Sequence, residues 1–308
     1  MTTRSAARMG VLALLWGSGF LWIKLALTGL TPAQIAVVRC ALGAAVLLGL
    51  AAVHRQRLPR DRATWARLVV AALFCNALPF LLFGIGEQTV DSGVAGVLNA
   101  TTPLWALLIG LLLGAERGLT PVRVGGLVLG FVGVLVIFAP WRQHGLLSWG
   151  AVALLAAAAS YAVAFAYMGR ALVGRGGPIA ISAAQLLTAT GLGALALPAS
   201  QPAHPNATAL VAVVVLGTLG TGVTFYLNYR IIEDEGPTSA ATVGYLLPVV
   251  SVALGALVLD EPLTPRVVVG MAVVLLGVAM TGRAVRTPTP ANRRPAVPER
   301  VDSRPARD

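Results

Sequence analysis

Two acids that each precede the same Leu-Thr-Pro, and two cations set inside apolar runs, are the residues of this chain best placed to do chemistry. Glu116 stands in "LLGAERGLTPVRVGG" (112–126) and Glu261 in "LVLDEPLTPRVVVG" (257–270). A carboxylate between apolar segments can carry a proton, or it can cap and anchor the next helix through its N-terminal dipole. The Leu-Thr-Pro after each acid is a helix-start signal and favours the structural role. Lys24 and Arg39 are the cations, and side chains of this kind bind carboxylates or pair with a neighbouring acid. Other chemistry has little to build on. His54, His144 and His204 fall in connections, and there is no His-Glu-x-x-His and no Walker A loop. Cys40 and Cys75 lie within apolar runs, where cysteine acts as a small hydrophobe. No disulfide, metal pair, cofactor or ATP hydrolysis is expected, which weighs against an intramembrane enzyme.

The elements that must hold these residues follow from composition. Of 308 residues, 57% are hydrophobic and 11% charged, against roughly 25% charged in soluble domains. So much apolar surface does not fit into one soluble core, so the lipid bilayer is the solvent expected for most of the chain. A spanning helix needs about 20 apolar residues. Ten segments qualify, at 9–28, 33–53, 67–86, 91–113, 122–139, 148–168, 178–198, 208–232, 238–258 and 266–282. Runs such as "ALGAAVLLGLAAV" do not alternate, which excludes transmembrane strands. The fold class is an all-α integral membrane protein with ten transmembrane helices.

The net charge of +11 reports topology. With residues 1–8 in the cytoplasm, one side collects Arg4, Arg8, Arg55, Arg57, Arg60, Arg62, Arg67, Arg117, Arg123, Arg170, Arg175 and Arg230. The other side receives only Arg142 and Arg266. This is the positive-inside bias, and it argues against a nucleic-acid partner. Residues 283–308 hold seven arginines and five prolines with few large apolar side chains, and are expected to be a disordered cytoplasmic tail.

The chain also repeats itself. "NATTPLWALLIGLLLGAERGLTP" aligns with "GYLLPVVSVALGALVLDEPLTP", placing Pro103 on Pro248, Gly110 on Gly255 and Glu116 on Glu261. Arg39 falls on Gln185. Residues 9–139 and 148–282 therefore read as two copies of a five-helix unit. Five is odd, so the second copy enters the membrane from the opposite face. Inverted repeats of this kind are a recurrent architecture of secondary transporters, with the site at the repeat interface.

Ten spans, two five-helix repeats, "WGSGFLWIKLAL" in the first span and the acid-plus-Leu-Thr-Pro connections together resemble the EamA-like family of the drug/metabolite transporter superfamily. The resemblance covers residues 8–282. "GAERGLTP" and "LDEPLTP" depart slightly from that family's Gly-Glu pattern. The resemblance implies a multi-pass protein of the inner membrane, with both termini cytoplasmic, that exports amino acids or other small metabolites. Some members import instead.

The candidates for a substrate pathway are then named residue by residue. Lys24 either snorkels to the interface or faces a cavity, and Arg39 either pairs structurally with Glu87 or Asp91 or joins Lys24 in an outer cationic vestibule for substrate carboxylates. Gln185 is the uncharged mirror of Arg39. Pro103 and Pro248 kink the fourth and ninth spans and free the carbonyls of Asn99 and Gly244. Asn99 and Thr102 form the expected midplane polar site. Asn76 is a further polar candidate, and Trp22, Trp105, Tyr161, Tyr226 and Tyr245 are candidate walls. Stretches such as "GGLVLGFVG" let helices approach closely and read as packing, with a homodimer surface on the fifth and tenth spans as the other use.

Overall fold

Polar caps begin the long helices where the chain enters its apolar runs. Thr31 and Gln34 form a reciprocal capping box around Pro32 at the start of one helix. Asp61, Ser148 and Asn206 each accept a hydrogen bond from the backbone N–H three residues on. The computed structural model describes residues 3–112, 121–138, 148–172, 174–199, 202–235, 243–244 and 246–283. Glu116, Tyr245 and residues 284–308 of the tail expected from 283 lie outside the described residues, while Arg283 ends a helix.

The helices are α1 (Thr3–Gly17), α2 (Gly19–Ala26), α3 (Pro32–Val53), α4 (Arg62–Ala72), α5 (Leu78–Gly86), α6 (Ser92–Asn99), α7 (Thr102–Leu112), α8 (Pro121–Phe138) and α9 (Trp149–Ala171). They continue with α10 (Pro178–Ala194), α11 (Ala207–Gly217), α12 (Thr224–Glu235), α13 (Leu247–Val258) and α14 (Pro265–Arg283). No strand occurs among the described residues. Seven helical stretches there are long and apolar enough to cross a bilayer: Ala7–Ala26, Pro32–Val53, Arg62–Gly86, Ser92–Ile109, Trp149–Ala171, Pro178–Ala199 and Ala207–Asn228. Shorter apolar helices occupy Val124–Ile137, Leu247–Val258 and Pro265–Gly277. Large apolar side chains such as Val128, Leu135, Val211 and Leu276 stand exposed, as lipid-facing surface requires.

Four spans are interrupted. The first breaks at Ser18, whose hydroxyl donates to the Leu15 carbonyl. The segment expected as one helix over 91–113 stops at Asn99 and restarts at Thr102, so Pro103 sits in the first turn of α7, where its missing N–H costs nothing. Pro248 occupies the same place in α13. Two π-helical turns interrupt the others, at Leu73–Ala77 between α4 and α5 and at Thr218–Val223 between α11 and α12.

Connections sort to two ends. Thr28 meets Asn206, Thr89 meets Gly150, and Ser92 meets Glu261, so the turns near residues 28–31, 87–91, 148, 204–206 and 260–264 gather together. At the other end the Gln56 amide oxygen accepts from Ala180 N at 3.2 Å. Helices α8 and α14 pack with their glycines in contact: a Cβ at Gly133 would stand 2.7 Å from Val274 N, and one at Gly277 2.5 Å from Gly130 N. The small-residue stripes are thus used for packing within the chain.

Candidate functional site

Arg39 lies on α3 and is 9% exposed. A charge at that depth must be satisfied locally. Its Nε donates to the Thr221 hydroxyl at 2.8 Å, and its guanidinium lies 3.7 Å from the centroid of the Phe80 ring. Neither Glu87 nor Asp91 is its partner, contrary to the expectation from sequence. The cause is the second π turn. It places Thr221 toward α3, where a Cβ at Gly43 would be 2.8 Å from the Thr221 methyl. Thr221 then donates to Leu216 O at 2.9 Å, so its hydroxyl both accepts and donates.

Gln185 on α10 makes the corresponding bond in the other direction. Its Nε2 donates to Asn76 Oδ1 at 2.6 Å, and both side chains are fully buried. Asn76 belongs to the first π turn, as Thr221 belongs to the second. The turns begin at Leu73 and Thr218, 145 residues apart, and so do Asn76 and Thr221. Each π turn leaves a carbonyl without its helical donor. Ser160 on α9 donates to Phe74 O at 2.7 Å, and Thr224 donates to Gly220 O at 2.9 Å and Thr221 O at 3.0 Å.

A chain of aromatic rings packs in the same core. Phe20 meets Phe83 edge-on at 5.6 Å, Phe83 meets Tyr161 at 5.9 Å, and Tyr161 stacks on Phe165 at 5.7 Å. Arg39, Phe80, Phe83, Tyr161, Asn76, Thr221 and Gln185 form the polar and aromatic interior. A cation with its ring and amide neighbours can hold an anionic group beside an apolar body.

The other candidates lie elsewhere. Lys24 donates from Nζ to the main-chain oxygens of Glu87 and Val90 at 2.7 and 2.9 Å, which closes the C-terminal end of α5. It does not join Arg39 in an open vestibule. Trp22 packs against the core near it. Thr102 donates to Asn99 O at 2.7 Å, so the carbonyl expected to be free is taken, while the Asn99 side-chain oxygen and the Trp105 indole N–H have no partner. Trp105 meets Phe131 edge-on at 5.3 Å. Tyr226 pairs with His54 at 5.8 Å, toward the end that holds Gln56.

Glu261 is structural, yet it does not cap the helix immediately after it. It accepts from Ser92 N at 2.7 Å, Ser92 Oγ at 3.0 Å and Gly93 N at 3.0 Å, and so caps α6, far away in sequence. Asp260 adopts φ 53°, which folds the chain back so that Glu261 N donates to Gly255 O at 3.1 Å. A side chain at Gly255 would overlap the Glu261 carboxylate. The next helix, α14, takes its cap from Thr264.

Sequence reading missed Thr221, Phe20, Phe80 and Phe83. Phenylalanines within an apolar run carry no signal. Thr221 carried one: the 145-residue offset that pairs Pro103 with Pro248 also pairs it with Asn76.

The model of the EamA-like transporter family matches residues 7–139 and again 148–283, and the chain belongs to that family. It is therefore a multi-pass membrane protein and a transporter. Relatives share the full span. A protein of Archaeoglobus fulgidus named "Uncharacterized transporter" is 26% identical over 276 residues, covering 87% of this chain and 95% of its own. The "Uncharacterized inner membrane transporter YedA" of Escherichia coli is 26% identical over 275 residues, 87% of each chain. A solved crystal structure aligns over 93% of this chain and 100% of its own with a TM-score of 0.65 and 20% identity, a likeness of fold alone.

Proposed function

We propose that the chain is a secondary transporter of the inner membrane. It exports small metabolites, such as amino acids or amphipathic compounds, by alternating access between two inverted five-helix repeats (9–139 and 148–282). One observation carries the reading: the two buried bonds, Arg39 to Thr221 and Gln185 to Asn76, each join one half of the chain to the other. Each is made by a helix two spans into its half with a π turn of the opposite half. The double match of the family model supports the duplication, as does the placement of five connections at one end.

In this reading the two bonds are latches of unequal strength. The cation latch sits toward the end that holds Glu261, and the amide latch toward the end that holds Gln56. A cargo entering between the halves displaces one latch and leaves the other closed, which exposes the interior to one side at a time. Arg39 then presents a cation to a carboxylate or another anionic group on the cargo, against the faces of Phe80, Phe83 and Tyr161. Competitive efflux of radiolabelled amino acids, nucleosides and organic cations from proteoliposomes tests this. Saturable flux of at least one class is expected, and rates equal to empty vesicles for every class would refute it.

A further inference from the structure

Glu87 is the buried group that neither the packing nor the latches use. It comes directly after the last turn of α5 and is 0% exposed, and neither carboxylate oxygen has a hydrogen-bond partner. An ionised carboxylate left in that state costs several kcal/mol. Every cation near it is turned away. Lys24 of α2 gives its ammonium to main-chain oxygens, including the carbonyl of Glu87 itself. Arg39 of α3 is engaged by Thr221 and Phe80. Glu261, in the connection before α14, adds negative charge, and the half-exposed Asp91 stands ahead of α6. Helix α9 brings Tyr161 against Phe83, one turn before Glu87. Lys24 commits two of its three donors to carbonyls and no hydrogen bond reaches the carboxylate, and a carboxyl buried without a partner is favoured in its neutral form. Burial holds this carboxyl well above the ordinary range; Glu261 adds to the rise, and Lys24 and Arg39 oppose it.

A metal cation does not fit here. Among the described residues no three His, Cys, Asp or Glu side chains converge, and hard cations take six or more oxygens. We propose that Glu87 is a proton-binding site of the transport cycle, so that cargo movement is coupled to a proton; this rests on the transport reading above. In the closed arrangement the O–H bond is intact and Arg39 stays on Thr221. When the site opens to water the O–H bond breaks, the proton leaves to that side, and the electron pair stays on the carboxylate. The anion then draws Arg39 or Lys24 away from its present acceptor. Drawing Arg39 releases the latch between the halves, and reprotonation from the other side closes it.

The first test needs no cargo. Infrared spectra of the full chain in lipid, between about pH 5 and pH 9 to bracket an ordinary and a buried carboxyl, should show a protonated carboxyl C=O band near neutral pH. E87Q should lose that band and E87D should keep one, with both variants monodisperse and E87Q as heat-resistant as wild type at the acid end of that range. A band unchanged in a folded E87Q overturns the proposal. The second test loads proteoliposomes with a mixture of common L-amino acids. Exchange at equal pH and accumulation under a pH gradient by wild type, with both lost in E87Q because its neutral amide cannot draw Arg39 off the latch, is the expected result. Gradient-driven accumulation that survives E87Q overturns the proton site and leaves transport standing. No exchange by either protein, in this mixture or in the wider panel of nucleosides and organic cations, overturns the transport reading and the proton role with it.

Discussion

At the scale of single residues, the molecule is held by a few side chains that reach far along the sequence. Glu261 accepts three hydrogen bonds from the start of α6, two of them from backbone N–H groups that no helix turn can satisfy. Bonds to a charged acceptor contribute about 1.5–3 kcal/mol each, and they act as one cap. E261Q, which keeps the shape and removes the charge, should lower stability by about 2 kcal/mol, read as a lower thermal midpoint in detergent. An unchanged midpoint would mean that α6 is held by packing alone. Glu87 gives a pH signature of known sign. Its folded-state pKa lies above its unfolded value of about 4.3, so the native state binds more protons between the two values. Stability is then greatest below the unfolded value, falls as pH rises toward the folded value, and levels off beyond it. Thermal unfolding across that window should slope downward for wild type and stay flat for E87Q. Parallel curves would remove the claim of a raised carboxyl.

At the scale of elements, the π turns decide where the polar side chains point. A π turn holds one residue more than the α-helical path, so deleting a residue restores the α-helix, leaves the downstream helix in phase and re-aims the side chains of the turn itself. Deleting Gly220 should therefore leave a protein that inserts and elutes as a single species, with flux lost because Thr221 no longer meets Arg39. Wild-type flux from that deletion would show that the latch has no role. These turns also mark the limit of what was legible in the sequence. Apolar runs located the helices, Thr31, Asp61, Ser148 and Asn206 announced their starts, and Pro103 and Pro248 announced two interruptions. No local pattern announces a π turn, because its freed carbonyl is satisfied by a distant partner, as Ser160 satisfies Phe74. The same holds for Glu261. Its acid-plus-Leu-Thr-Pro reads as the cap of the next helix, and only the left-handed turn at Asp260 sends the carboxylate to α6 instead. Arg39 was legible as a buried cation, whereas its partner was not, since a threonine in an apolar helix ordinarily bonds its own backbone.

At the scale of the whole molecule, the balance of arginines and the pairing of halves support the same arrangement. Connections rich in arginine alternate with connections that have almost none, and in the proposed topology the end that holds Lys24, Glu87 and Glu261 faces outward. A reporter enzyme fused after Arg283 should accordingly be active in the cytoplasm, and periplasmic activity would invert the assignment. In the proposed cycle the two latches give a pair of packed halves two exclusive openings. The most direct test is solute exchange by wild type and T221V in proteoliposomes, using whichever solute of the amino-acid, nucleoside and organic-cation panel wild type carries. T221V keeps side-chain volume close to native and removes the hydroxyl that accepts from Arg39 and donates to Leu216 O. Exchange by wild type and its loss in a folded T221V is the outcome the latched-halves account predicts; undiminished exchange by T221V would contradict it.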